Sequence, residues 1–520
     1  MRLRSWTIPS AALALVLIGP VGPAFAHETG GVDKVVMKDV LAPAAEGVGS
    51  GMSAVANVPY SDATGERSQA GSDIEFGRIG GRDYAFAGTL RGGLQIIDIS
   101  KPTRPVRVAV YDCAISQGDV QVFRQGKRVL ATYTADGSFG AVGLASQCAK
   151  DLDLRDAKAA GTVLLDVTDP TRPQTVGFAP VPRGSHNMTV HPSGRYLYNS
   201  NSDLLTSTMP TIRIFDISDP ALPRFVQDYP IPYVPTSLGS ESHDITFSED
   251  GTRAYSAALS QTLVLDTSDP ENPQQVSQVI DPTVQLVHGA DPITLTRADK
   301  STRELLVVSD EQAGAATGTN CPGGGLHFYD ITGELEKAPV KIATWFIAET
   351  RPSTATCTAH VFRMHSAQGL ITVAWYDEGV RVLDVAGLAD ATGSPLTVLR
   401  GTQGGIKEIG SYVFPDANTW SFKTNAIAKD GSFFGYGNDL GRGLDVYRFE
   451  GLDRTVPALT PTELRAAGLD RAEVLPLLPS GGPTLPLLLG LLAGAAFAGA
   501  ARVTSTRAGV SRGRVRPATG

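Results

Sequence analysis

Leu94-Gln95-Ile96-Ile97-Asp98, followed by Pro102 and Pro105, is the stretch that decides the fold, because the chain repeats it. TVLLD ends at Asp166, IRIFD at Asp216, TLVLD at Asp266, LHFYD at Asp330 and VRVLD at Asp384. Three of these later copies also carry the Pro-x-x-Pro: Pro170/Pro173, Pro220/Pro223 and Pro270/Pro273. Recurrence at roughly fifty residues or a little more marks a repeat architecture. Each copy is a run of β-branched and aliphatic residues closed by Asp, which reads as a buried strand ending in a tight turn. The Asp carboxylate accepts from backbone N–H groups two residues on. Pro then sets the next turn and cannot extend the ladder.

Two further strand-like runs precede each phrase, such as Met188 to Asn201 and Ile245 to Leu259, with Ser193-Gly194 and Asp250-Gly251 where hairpin turns belong. A fourth run follows, as in Gln174 to Val181. Four antiparallel strands per repeat make a propeller blade. A seventh repeat, Gly443 to Phe449, has Arg448 in place of the Asp and no fourth strand after it. Met52 to Tyr60 resembles the outer strands of other repeats and can supply the missing one from the opposite end of the chain. Closing the ring in this way hides its edges. The expected fold is all-β: a seven-bladed propeller of four-stranded antiparallel blades, closed by an N-terminal strand.

With its strand-Asp-x-Ser-Asp-Pro-x-x-Pro phrase, the chain resembles the LVIVD-repeat β-propeller proteins over Met52 to Phe449. The resemblance implies the fold and is far less informative about biochemistry. Asp330-Ile331-Thr332-Gly333 and Asp384-Val385-Ala386-Gly387 lack the prolines, so longer connections to the outer strands are expected in repeats five and six.

Both ends read as targeting segments. Arg2 and Arg4 precede the apolar stretch Ala11 to Ile18, and Ala24-Phe25-Ala26 has the form of a signal-peptidase site, so residues 1–26 read as a secretory signal. A flexible segment, 27–50, leads into the propeller at 51–452. Residues 453–484 read as a stalk, 485–503 as a transmembrane helix and 504–520 as a basic cytoplasmic tail. The uncharged run Leu485 to Ala501, with its flanks, spans a bilayer core of ~30 Å at ~1.5 Å per residue. Five arginines beyond Ala501 and no acid place the tail inside the cell. Leu478-Pro479-Ser480-Gly481-Gly482 resembles the sortase signal Leu-Pro-x-Thr-Gly, but Gly481 stands where Thr should be, which weighs against covalent wall anchoring. Either way the propeller is expected outside the cytoplasm, at a cell surface or in a periplasm.

Of 45 Lys and Arg, seven lie in the signal and beyond Ala501, leaving 38 against 53 acidic residues. That balance argues against nucleic acid as a partner. Four cysteines suit an oxidising compartment. Three pairings are possible. Placement on the blades suggests Cys113 with Cys148 and Cys321 with Cys357, each joining a loop that enters a blade to a second-to-third-strand loop.

Chemistry, if there is any, begins with histidine. His186, His243, His288 and His360 each stand at the opening of a blade's first strand, the strand that lines a propeller's channel. Ser72 and Gly118 take that place in the first two blades. Four imidazoles at one channel mouth would suit Zn or Cu, although a hydrogen-bonding His repeated with its blade accounts for the same pattern. Asp136, Asp203, Asp244, Asp310, Glu311, Asp377, Glu378 and Asp439 are expected near the same face and could bind a metal, a cationic ligand or a partner; acids at strand ends also make turns. The repeated Asp98, Asp166, Asp216, Asp266, Asp330 and Asp384 read as turn caps rather than a catalytic ring. A mature N-terminal His27 could chelate copper only with a second His held opposite. No G-x-S-x-G, H-E-x-x-H or P-loop is present.

The first expectation is therefore a membrane-tethered propeller that binds an unknown protein or small molecule at the cell surface. The second is a metal-binding propeller with oxidoreductase or hydrolase activity.

Overall fold

The computed structural model describes residues 47–66, 70–235, 238–312, 321–349 and 356–452. Signal segment, stalk, apolar span and basic tail all lie outside the described residues, as does most of the leading segment. Among the described residues no helix is long and apolar enough to cross a membrane.

Among the described residues seven sheets, each with four antiparallel blade strands, follow one another along the chain. Blade 1 runs Gly71–Ile79, Arg82–Thr89, Leu94–Asp98 and Val106–Tyr111 from inside to outside, and blades 2 to 6 repeat the order. In each of blades 1 to 6 the repeated phrase is the third strand, its Asp the last residue. The expected turn chemistry is present. Asp216 Oδ1 accepts from Ser218 N–H at 2.8 Å and from the Ser218 hydroxyl at 2.6 Å, and Asp330 holds Thr332 in the same way. An arginine completes most caps, as Arg303 does for Asp330 at 2.8 Å.

Blade 7 is built from both ends of the described chain. Thr419–Lys423, Phe433–Asp439 and Gly443–Phe449 are joined by Met52–Val58, with Met52 opposite Phe449 and Val58 opposite Leu444. Asn57 fastens the join by donating to Asp445 Oδ1 at 2.9 Å and to the Arg442 carbonyl at 3.1 Å.

Two blades carry a fifth strand. Val48–Ser50, placed by the sequence reading in the segment ahead of the propeller, pairs instead with Lys407–Val413 on the outside of blade 6. This strand is exposed and carries no apolar periodicity, so nothing in its side chains announced it. Val398–Arg400 pairs in parallel with Val340–Phe346 at the edge of blade 5. It belongs to the long connection from Asp384 to Lys407, which replaces the missing prolines of repeat six. Repeat five bridges the same gap with a short 3-10 helix, Gly333–Lys337.

The apolar core is divided rather than central. Each blade-to-blade interface has its own cluster: Phe86 with Tyr133 between blades 1 and 2, Tyr198 with Leu265 between 3 and 4, Trp345 with Trp375 between 5 and 6. Burying both faces of every blade explains why the third strands read as unbroken apolar runs. Disulfides Cys113–Cys148 and Cys321–Cys357 are both formed, the first reaching from the loop into blade 2 to a short helix, Gln147–Asp151.

Candidate functional site at the channel

First strands pack side by side around the axis, each touching its neighbours. Alternate residues of a strand face the same side. One set faces the channel: Asp73 and Glu75, Asp119 and Gln121, Asn187 and Thr189, Asp244 and Thr246, Gly289 and Asp291, with Arg363 and Lys423. They line a cavity of about 300 Å³, and His243, His288 and Trp420 form part of its wall.

All four expected histidines come together. They form an arc across blades 3 to 6, with ring centroids 4.2 Å apart from His186 to His243, 4.4 Å from His243 to His288 and 4.2 Å from His288 to His360. All four are buried. His243 directs Nδ1 at the His288 carbonyl, 3.1 Å away, and His360 directs Nδ1 at the Trp420 carbonyl, 2.6 Å away. A ring whose Nδ1–H is committed to a carbonyl carries its lone pair on Nε2, the arrangement that orients a metal-ligating histidine. The Nε2 atoms of His186 and His243 lie 3.0 Å apart, and Asp136 stands 3.6 Å from His186 Nδ1. Burial drives the imidazolium form out: the pKa of His243 lies well below the ordinary value and that of His360 falls to about 3, so both rings are neutral.

Glu311 closes the far end of the arc. Its carboxylate oxygens lie 3.8 Å from His288 Nε2 and 3.6 Å from His360 Nε2. Tyr376 donates to Glu311 at 2.8 Å and lays its ring 4.5 Å from His360. Burial pushes the Glu311 carboxyl up to about 8. Ligand atoms of His243, His288 and Glu311 lie within 4.8 Å of one another, close enough to converge on one ion.

Backbone strain gathers at the same place. Gln117, whose amide lies 3.2 Å from His186 Nε2, has φ +68°, and Tyr376 has φ +44°. Leu259, bonded through its backbone to Val287 beside His288, has φ +56°. Bulky residues with positive φ are uncommon, and such strain tends to cluster where a site requires it.

The remaining expected residues divide. Asp244 lines the cavity. Asp310 accepts from the backbone N–H groups of Gln285 and Leu286, and Asp439 from those of Asn418, Gly441 and Arg442, so both are turn caps. Asp203 pairs with Arg183 at 2.8 Å. Glu378 is buried 3.8 Å from Arg381, beside the second disulfide, and Asp377 lies next to it. Gln117, Tyr376, Trp420 and the channel carboxylates Asp73, Glu75, Asp119 and Asp291 were not anticipated. For the carboxylates the signal was the polar alternation of the first strands, as in Asp73-Ile74-Glu75 and Asp119-Val120-Gln121; Tyr376 and Trp420 carried none.

No curated protein matches the chain. Among solved structures, the crystal structure of the Cps50 (Swd1) β-propeller domain of Myceliophteria thermophila shares 10% identity, aligned over 73% of this chain and 97% of that one, with a TM-score of 0.45. A functionally unknown protein from Desulfotomaculum acetoxidans shares 14% identity over 68% and 91%, with a TM-score of 0.40. The LVIVD repeat family matches residues 81–113, the stretch from the second strand of blade 1 to Cys113. That match, the recurring strand-Asp phrase and the seven four-stranded blades make the chain an LVIVD-repeat β-propeller.

Proposed function

We propose that the chain is an exported, membrane-tethered propeller whose channel-mouth histidines bind a transition-metal ion. The observation that carries this reading is the arc itself: four buried rings in sequence, with Nδ1 of His243 and His360 turned to carbonyls and Nε2 carrying the lone pair toward the neighbouring rings and Glu311. Neutral imidazole nitrogens with one carboxylate are the donor set of Zn2+ and of copper. His186, His243, His288 and His360 would supply nitrogen, and Glu311 oxygen. Tyr376, through its bond to Glu311, would fix the carboxylate. Export is supported by the signal-like residues 1–26 and by the two disulfides, tethering by the apolar run and its arginine-rich tail. In the broader sense the ring is a rigid binding module, and the metal is what we assign to it.

The test is elemental analysis of the full-length chain purified from the exported fraction. Near-stoichiometric Zn or Cu is expected, lost in His243→Ala and His360→Ala variants that keep their melting temperature within a few degrees. A wild-type chain still metal-free after reloading and dialysis would overturn the reading and leave a propeller that binds something else.

A further inference from the structure

In each of blades 1 to 5 an arginine stands at the start of the second strand or next to it: Arg82, Arg128, Arg195, Arg253 and Arg303. Four of them pair with the repeated aspartate of their own blade, as Arg128 does with Asp166 at 2.8 Å. Blade 3 is the exception. Its Asp216 pairs at 2.9 Å with Arg224, the first residue of the outer strand, and Arg195 is released from the cap. Arg195 instead donates from Nε to the Ser218 hydroxyl at 3.0 Å, and that hydroxyl donates to Asp216 Oδ1 at 2.6 Å. These bonds orient the guanidinium while leaving it without a carboxylate partner among the described residues.

A second arginine reaches the same place from blade 2. Arg124 and Arg195 line a cavity of about 290 Å³ with Gln125, Gly126, Ser193 and Ser218, and no acidic side chain lines it with them. Arg124 donates from Nη2 to the Arg78 carbonyl, a neutral acceptor, and has no ion-pair partner among the described residues. The two hairpins that carry these arginines are locked together. Gln125 Nε2 donates across to the carbonyls of Gly194 and Ile217, both at 2.7 Å. Gly194 has φ +68°, and a Cβ there would stand 2.8 Å from the Arg124 carbonyl oxygen, so glycine is what lets the hairpins touch. Both arginine side chains are exposed, but the backbone that presents them is fixed.

Two guanidinium groups sharing one cavity repel each other, and an anion held by both removes that cost. Acid is not scarce in this chain, with 53 acidic residues against 45 Lys and Arg, yet none is supplied here. Charge and shape decide which anion fits. A carboxylate offers two oxygens and a single charge, which one guanidinium fork satisfies. A phosphate monoester carries a charge of about −1.5 to −2 and three acceptor oxygens, enough to engage a fork from each blade. The cavity volume is at the lower end for small-molecule sites, which suits a phosphate on a short carbon chain.

We propose that the cavity between the first hairpins of blades 2 and 3 binds the phosphate group of a small phosphomonoester, with Arg124 and Arg195 each presenting a guanidinium to it. This site shares no residue with the histidine arc and does not rest on the metal reading.

Calorimetric titration of the full-length chain at low salt, where screening is weak, tests it with glycerol 3-phosphate, glycerol and lactate. The phosphate ester is expected to bind with a Kd of about 1 mM or tighter, lactate about tenfold more weakly or worse, and glycerol not at all. Arg124→Gln and Arg195→Gln should each weaken the phosphate ester about tenfold. Arg155→Gln, which removes an exposed arginine paired with Asp153 in a different loop of blade 2, should leave it unchanged. No binding by the wild-type chain, lactate as tight as the ester, or unchanged affinity in both pocket variants would overturn the proposal. So would an equal loss in Arg155→Gln, which would make the effect one of overall charge. The comparison of the three ligands uses wild-type protein alone, so it decides even where a variant folds poorly. The His243→Ala/His360→Ala double variant should keep its affinity for the ester whatever the metal analysis gives. Loss confined to that variant would place the anion at the arc and sink the hairpin site.

Discussion

The repeated aspartates show one residue type doing one job at several places. Partial burial pushes up the carboxyls of Asp98, Asp166, Asp216 and Asp330. Bonds from the Ser or Thr two residues on, and from an arginine, outweigh it and hold them below the ordinary range. In Asp266 the Ser268 bonds lead. A lowered folded pKa means stability that is present above the unfolded value near ~3.9 and is lost as pH falls through the folded one. Chemical denaturation at pH 7, 5 and 3 should therefore show a progressive loss of stability below about pH 4, and an Asp330→Ala variant should show a smaller loss. At pH 7 that substitution should cost about 1.5–3 kcal/mol, since Asp330 is buried and bonded to Arg303 and Thr332. This role was legible in the sequence because Asp-x-Ser/Thr is a local motif. The positions of the four histidines were legible too, since each opens a first strand. Glu311, though named, was seen only as part of a rim, and Tyr376 was missed. Their contact with His288 and His360 crosses between blades 5 and 6, and no short-range pattern records it.

Strands reveal a different boundary of legibility. Apolar third strands and Gly-marked hairpins predict most of the ladder. The fifth strands do not appear, because Val48–Ser50 and Val398–Arg400 are short and supply backbone pairing more than side-chain burial. Both cover outer edges that would otherwise present unpaired N–H and C=O groups. The most consequential such cover is Met52–Val58, which pairs with Gly443–Phe449 along its whole length. A variant lacking residues 48–58 should expose that edge and leave Leu444 and Val446 partly uncovered. Size-exclusion chromatography is expected to find it associating with other copies, and a peptide of sequence MSAVANV added in trans should return part of it to monomer by strand addition. A variant that stayed monomeric and as stable as the full chain would show that the edge is protected some other way.

Across the whole molecule, stability is the sum of seven interfaces rather than of one core, and the two disulfides lie in the loop layer next to two of them. Each closes a loop with a sequence separation of 35 or 36 residues. Loop-closure entropy assigns about 3–4 kcal/mol to a bridge of that span. Reduction under native conditions should lower the melting temperature measurably while leaving the far-ultraviolet circular dichroism of the propeller in place at room temperature. Loss of the β signal on reduction alone would mean that the blade interfaces are weaker than their burial implies. The closure in blade 7 also has a mechanical meaning. Met52 lies beside Phe449, so the chain enters and leaves that pair of strands at the same end. A load applied between the two ends first meets Val48–Ser50 on blade 6 and then parts the closing pair rung by rung, as a zipper opens, instead of shearing all its rungs together. The ring thus has one seam that yields under low tension, and force borne by the chain ends is relieved there before it reaches the other blades.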